Sequence, residues 1–179
     1  MIADKRAIAD FCQDNTLVIP RALYDMADAH AVMTYGEAGI FHKLIRQDMT
    51  GIEFYATQPM LAFVLAGEES FTTFDNEEVI LREGEMLFIP RDTHMVSDFV
   101  NRKGPLEAFL FFFDHTTIED FLRRAPARTA SASAGTRAFR LPASPPVSAY
   151  MSALHAVYRE ISGTENLLRT KLLELLYLL

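Results

Sequence analysis

The chain has 179 residues, half of them hydrophobic, 23% charged, with a formal net charge of −7. That size and composition suit one domain with an appendage and a substantial core. An acidic chain gains little from counterion release, which argues against these residues as a nucleic-acid surface.

No apolar run approaches the roughly 18–20 residues that span a bilayer. The N-terminus lacks the apolar stretch of a secretory signal. The single cysteine, Cys12, can close no internal disulfide, so a reducing cytoplasm is the expected compartment. Residues 3–14 are predicted as a short helix, with Asp4 as cap and Ile8, Phe11 and Cys12 on one face. From about Gly39 strands take over. IFHKLIRQ (40–47) alternates loosely, and MLAFVLAG (60–67) is a short apolar run ended by glycine. ESFTTF (69–74) and EVILR (78–82) flank Asp75-Asn76-Glu77, a predicted hairpin turn. EMLFIP (85–90) and LEAFLFFF (106–113) complete the set. Short strands at about ten-residue spacing predict a sandwich or small barrel.

Thr116 to Arg124 is predicted helical, capped by Thr116 or Thr117, with Ile118, Phe121 and Leu122 inward. Ala125 to Pro146 is rich in Ala, Ser, Pro and Arg and is predicted as a linker. Its Arg128, Arg137 and Arg140 follow Arg123 and Arg124 with no acidic residue between. A solvated linker is favoured over a phosphate-binding patch. Ser144 then caps a helix with Pro145 and Pro146 in its first turn. Val147, Tyr150, Met151, Leu154, Val157, Tyr158 and Ile161 give it one apolar face. Ser162 and Glu165 have capping-box spacing and restart the helix. Leu168, Leu172, Leu175 and Leu179 form a stripe, widened by Leu167, Leu173, Leu176, Tyr177 and Leu178. The sequence stops inside this stripe with no glycine cap or polar tail. Such a helix calls for a packing surface. The expected surface is a partner subunit or a continuing chain, and the alternative is burial in the chain's own core.

Residues 61–94, LAFVLAGEESFTTFDNEEVILREGEMLFIPRDTH, resemble a cupin half-barrel. A strand ends in Gly67-Glu68, a hairpin follows, then Glu83-Gly84-Glu85 and Phe88-Ile89-Pro90, with Gly84 six residues before Pro90. The glycine permits the positive φ of a tight turn, and the proline falls where no ladder donor is needed. A cupin, a Pro/Ser-rich connector and a leucine-rich helix pair ending LLRTKLLELLYLL together resemble the sensing domains of AraC-type transcription regulators. The closest branch activates virulence and type III secretion genes. The resemblance implies a mainly β, cupin-like barrel or sandwich followed by a two-helix dimerisation element. It divides the chain into a barrel domain (1–124), a linker (125–146) and a helical hairpin (147–179). It also implies a helix-turn-helix domain beyond residue 179, and DNA contact only through that domain.

Cupin enzymes hold a divalent metal through two His, a Glu and a third His. On this chain the motif's glutamate falls on Met60, the paired histidines near Phe54 and Ala56, and the last histidine on Met95. None of these is a hard-metal ligand. His94 lies one residue early, so strand alternation turns it to the other face. With no catalytic residue, metal or cofactor indicated, a non-enzymatic cupin is expected. The weighed alternatives are a metal-dependent isomerase or dioxygenase and a stand-alone ligand-binding cupin. If Phe54, Met60, Ala62 and Met95 point inward, the cavity is apolar, as small-molecule sites usually are. His42 and Arg46, on one strand face, are the candidate polar anchors, with Lys43 on the other face. An acyl chain bearing a carboxylate suits that chemistry, beside the plainer reading of a dry core. His155 is expected to be solvated. The expected partners are a second copy, docked through Leu168, Leu172, Leu175 and Leu179, and either a small apolar or acyl-type effector or a regulatory protein. No membrane partner is expected.

Overall fold

A computed structural model of the chain describes residues 5–11, 16–102, 104–125, 137–157 and 165–179. Its strands are β1 (Leu17–Ile19), β2 (Ala29–Tyr35), β3 (Ala38–Ile45), β4 (Met49–Ala56), β5 (Met60–Ala66) and β6 (Glu68–Thr73). They continue with β7 (Glu78–Arg82), β8 (Glu85–Ile89), β9 (Thr93–Phe99), β10 (Leu106–Phe112) and β11 (Phe139–Pro142). The helices are α1 (His115–Arg124), α2 (Pro145–Val157) and α3 (Glu165–Leu178). One sheet runs β1-β4-β9-β6-β7 and the other β11-β8-β5-β10-β3-β2. Two sheets face each other rather than closing into one barrel.

Two apolar clusters divide the core. The inner one lies between the sheets and includes Phe41, Phe54, Met60, Ala62, Met95 and Phe112. The outer one lies between the six-stranded sheet and the helices, and includes Ile40, Phe63, Phe109, Phe111, Met151 and Leu172. Strand alternation makes this possible. On β10, Leu110 and Phe112 belong to the inner cluster, while Phe109 and Phe111 belong to the outer. Apolar residues at both parities are the mark of a strand covered on both faces.

The turns follow their chemistry. Asn76 takes φ 58° in the β6–β7 hairpin, where the Thr73 carbonyl accepts from its amide. Gly84 takes φ 77°, which a β-carbon disfavours. β8 ends at Ile89, one residue before Pro90. The cap of α1 is Asp114, whose carboxylate accepts from the Thr117 amide at 2.8 Å. It takes the place expected for Thr116 or Thr117, because a carboxylate also complements the positive end of the helix. Ser144 Oγ accepts from the Val147 amide at 3.4 Å.

Several expectations are corrected. Among the described residues of the expected 3–14 helix there is a 3₁₀ turn at Ile8–Phe11, and Cys12 lies outside the described residues. Leu122 is 67% exposed, and the buried positions of α1 are Thr117 and Asp120. Residues 139–142 of the expected linker form β11, which pairs with β8 and sets the Phe139 ring 5.1 Å from that of Phe88. Arg137 and Arg140 face Glu77 and Glu85 at 3.6 Å, while Arg128 lies outside the described residues. Tyr158 and Ile161 to Thr164 lie outside them too. Most consequential is the leucine stripe. Leu168, Leu172 and Leu175 are 2%, 0% and 0% exposed, packed into the outer cluster of their own chain. β2, α1 and α2 pack against α3 and cover them, so they are not a free dimer face. Only Leu179, 43% exposed, stays open.

Candidate functional site

The inner cluster is the first candidate. Phe54 on β4 sits opposite Met95 on β9, and Met60 on β5 sits opposite Ile89 on β8. Phe54, Ala56, Met60, Ala62 and Met95 are all buried there. Methionines make this interior adaptable, because an unbranched thioether repacks readily.

The expected polar anchors lie elsewhere. On β3, Phe41 and Ile45 point into the interior and Ile40 points to the helices. His42 therefore points outward, against Phe109 and His155. Arg46 is exposed beyond the end of β3. Lys43 is the residue that enters. Its Nζ meets Glu69 Oε1, on β6 of the opposite sheet, at 2.5 Å. Ser97 on β9 donates to the same oxygen at 2.5 Å. Lys43, Glu69 and Ser97 are 6%, 1% and 4% exposed. Glu69 Oε2 is buried with no hydrogen-bond partner among the described residues. A buried ion pair costs several kcal/mol per ion in desolvation unless the remaining valences are met. This pair thus retains unmet acceptor capacity inside an otherwise apolar sandwich.

A second cluster lies on the outer side of the same sheet. Glu107 Oε1 on β10 is 2.7 Å from His42 Nε2 and 3.0 Å from His155 Nε2 on α2. Burial pushes the Glu107 carboxyl up, but hydrogen bonds and charge from both histidines outweigh it and hold it below the ordinary value of 4.5. His155, expected in solvent, is only about one-third exposed because Glu107 draws it toward the sheet. His94 stays near the surface, 39% exposed and 3.6 Å from Glu53.

The third feature is a cleft of about 140 Å³ bordered by Tyr35, Asp114, Arg169 and Leu172. It is below the roughly 300 Å³ at which small-molecule pockets begin. Beside it, Asp120 of α1 takes Arg123 and Arg169, tying α1 to α3.

Sequence reasoning missed two groupings, Lys43 with Glu69 and Ser97 in the interior and Glu107 with His42 and His155 on the outer face. A local signal existed for some of them. Lys43 shares its parity with Phe41 and Ile45, and Glu69 shares its with Phe71, both apolar and buried. The convergence of His155 on Glu107 has no such signal, since the two are 48 residues apart.

The model of the ExsA N-terminal regulatory domain matches residues 59–179. No curated protein matches the chain. Among solved structures, an apo ToxT variant from Vibrio cholerae superimposes with TM-score 0.60 at 3% identity, over 79% of this chain and 55% of ToxT. Wild-type ToxT bound to an unsaturated fatty acid gives TM-score 0.55 at 5% identity, over 76% of this chain and 52% of ToxT. These likenesses show a shared fold. The chain spans about half the length of the ToxT chains it matches. An RmlC-like cupin from Methanocaldococcus jannaschii has TM-score 0.41 at 20% identity, over 49% of this chain and 80% of that one.

Proposed function

The chain belongs to the ExsA N-terminal regulatory domain family, and from that premise we propose that it is the effector-sensing and dimerisation half of an AraC-type transcription regulator. The observation that carries this reading is the family match, which runs from β5 through both C-terminal helices. The packing supports it. One sheet separates the apolar interior from α2 and α3, and β10 contributes side chains to both sides. A molecule that spreads the inner cluster must move the wall on which the helices rest.

The effector we propose is an acyl-type molecule with an anionic head. ToxT has been crystallised with an unsaturated fatty acid. Here Phe54, Met60, Ala62 and Met95 supply an apolar lining, and Lys43 supplies the cation in place of His42 and Arg46. An incoming carboxylate competes with Glu69 for Lys43. The test is calorimetry of the chain with a monounsaturated long-chain fatty acid, and with its methyl ester as control. Saturable binding of the acid, weakened by K43M and absent for the ester, is the expected result. Equal binding of acid and ester removes the Lys43 anchor, and no binding removes the acyl effector.

We further propose that the domain is not catalytic. The interior positions where cupin enzymes carry ligands hold Phe54, Ala56, Met60 and Met95. Self-association is assigned to the outer side of the terminal helices, where Tyr177 and Leu179 are 49% and 43% exposed. Sedimentation equilibrium tests it, and a monomer at all concentrations rules it out. DNA contact is assigned to residues outside this acidic chain. No described helix is long and apolar enough to cross a membrane, and a cytoplasmic regulator fits the lone Cys12.

A further inference from the structure

We propose that His42, Glu107 and His155 form a binding site for a first-row divalent transition metal of zinc type, on the outer face of the six-stranded sheet, which clamps α2 to β3 and β10. The three donors come from three elements. On paired strands, Glu107 lies opposite Leu44 and His42 opposite Phe109, so the two side chains are diagonal neighbours on one face. His155 descends onto them from α2. One nitrogen or oxygen from each residue lies within 4.8 Å of the others.

The geometry is close to what a metal needs. Zinc bonds of about 2.0–2.2 Å in a tetrahedron separate ligand atoms by about 3.3 Å. The present separations from Glu107 Oε1 are 2.7 and 3.0 Å. Lengthening the two Glu107 contacts by a few tenths of an ångström brings them to that spacing, and the two imidazoles offer ligand atoms within 4.8 Å of each other. Exchanging the shared hydrogen bonds for metal bonds keeps the same three side chains, with any proton on a histidine Nε2 passing to Nδ1 or to solvent.

The donor set selects the ion. Two imidazoles and one carboxylate suit zinc, cobalt or nickel, whereas calcium and magnesium take oxygen ligands. The side chains are 16%, 25% and 34% exposed for His42, Glu107 and His155. The site is thus lined by protein yet open to a fourth, water-borne ligand. The Phe109 ring, 5.5 Å from His42 and 6.2 Å from His155, flanks both imidazoles. The ligand positions of cupin enzymes lie on the opposite side of this sheet, where Met60 and its neighbours stand. The site therefore serves the fold or its regulation, and it does not depend on the acyl reading of the interior.

The test uses the 179-residue chain, stripped with a chelator and titrated with zinc and with cobalt. One equivalent of zinc should bind and raise the melting temperature. Cobalt should show the visible bands of a four-coordinate ion with nitrogen and oxygen donors. H155A and H42A should each weaken binding on the order of a hundredfold or more, since changes even outside the ligand set cost about 10–100-fold. H94A should change nothing. His155 is partly exposed on a helix, so H155A keeps the test valid if H42A does not fold. Absence of saturable binding to the wild type, or affinity unchanged in H155A, overturns the proposal.

Discussion

Lys43 and Glu69 bridge the two sheets through a buried contact of 2.5 Å. Removing one partner leaves the other charge unpaired in an apolar interior. K43M is therefore expected to destabilise the domain by about 3–5 kcal/mol, whereas K43M/E69L should recover most of the loss. Urea denaturation of both variants checks it, and equal losses in the two would show that the pair's geometry is not what matters. Glu107 gives a pH signature. Its carboxyl is held below 4.5 in the folded chain. A depressed carboxylate contributes stability that is fully present above its unfolded value and is lost as pH falls through the folded one. Melting curves between neutral and strongly acid pH, with chelator present, should therefore lose stability in that acid window. E107Q should flatten this part of the profile. A steeper acid loss in E107Q than in the wild type contradicts the assignment.

The helices are held by what they bury. Leu172 and Leu175 are fully buried, so L172A or L175A should each cost about 2–5 kcal/mol by leaving a cavity. L179A, at a 43% exposed position, should stay within about 0.5 kcal/mol. Chemical denaturation distinguishes the two classes, and similar losses at Leu172 and Leu179 would place the stripe outside the core. The Asp114 cap should be worth about 1 kcal/mol, read from D114A in the same assay. Legibility at this scale followed the strength of the local pattern. Runs such as Met60–Ala66 and the hairpin around Asn76 carry their structure in adjacent residues. β2, β4 and β9 do not. β9 alternates Met95, Ser97 and Phe99 inward, and the serine disguises the period because its partner, Glu69, lies on another strand. The apolar lining of the interior was legible from the cupin spacing. The inner face of β3 was not: Lys43 lies there rather than His42, because alternation fixes which residues share a face, while the choice of inner face comes from packing.

Across the whole molecule, one sheet serves two cores. An effector bound between the sheets should alter amide exchange in α2 and α3 even though it touches neither. Hydrogen-exchange measurements with and without a monounsaturated fatty acid check this. Binding with no change in the helices would separate sensing from the terminal element. The net charge of −7 makes a further expectation for the isolated chain. It should show no salt-dependent retention of DNA in a mobility assay, and retention with a steep salt slope would reassign the DNA contact to these residues.

The two-sided burial of β10 also has a consequence for synthesis. Phe109, Phe111 and Phe113 leave the ribosome before α2 and α3, the elements that cover them. Through the interval in which residues 145–178 are made, the nascent chain carries an uncovered phenylalanine row on a sheet that can already pair. Exposed apolar strands of this kind recruit chaperones or one another. A chain interrupted between Pro142 and Pro145, which never gains that cover, should be made in normal amounts and collect in the insoluble fraction.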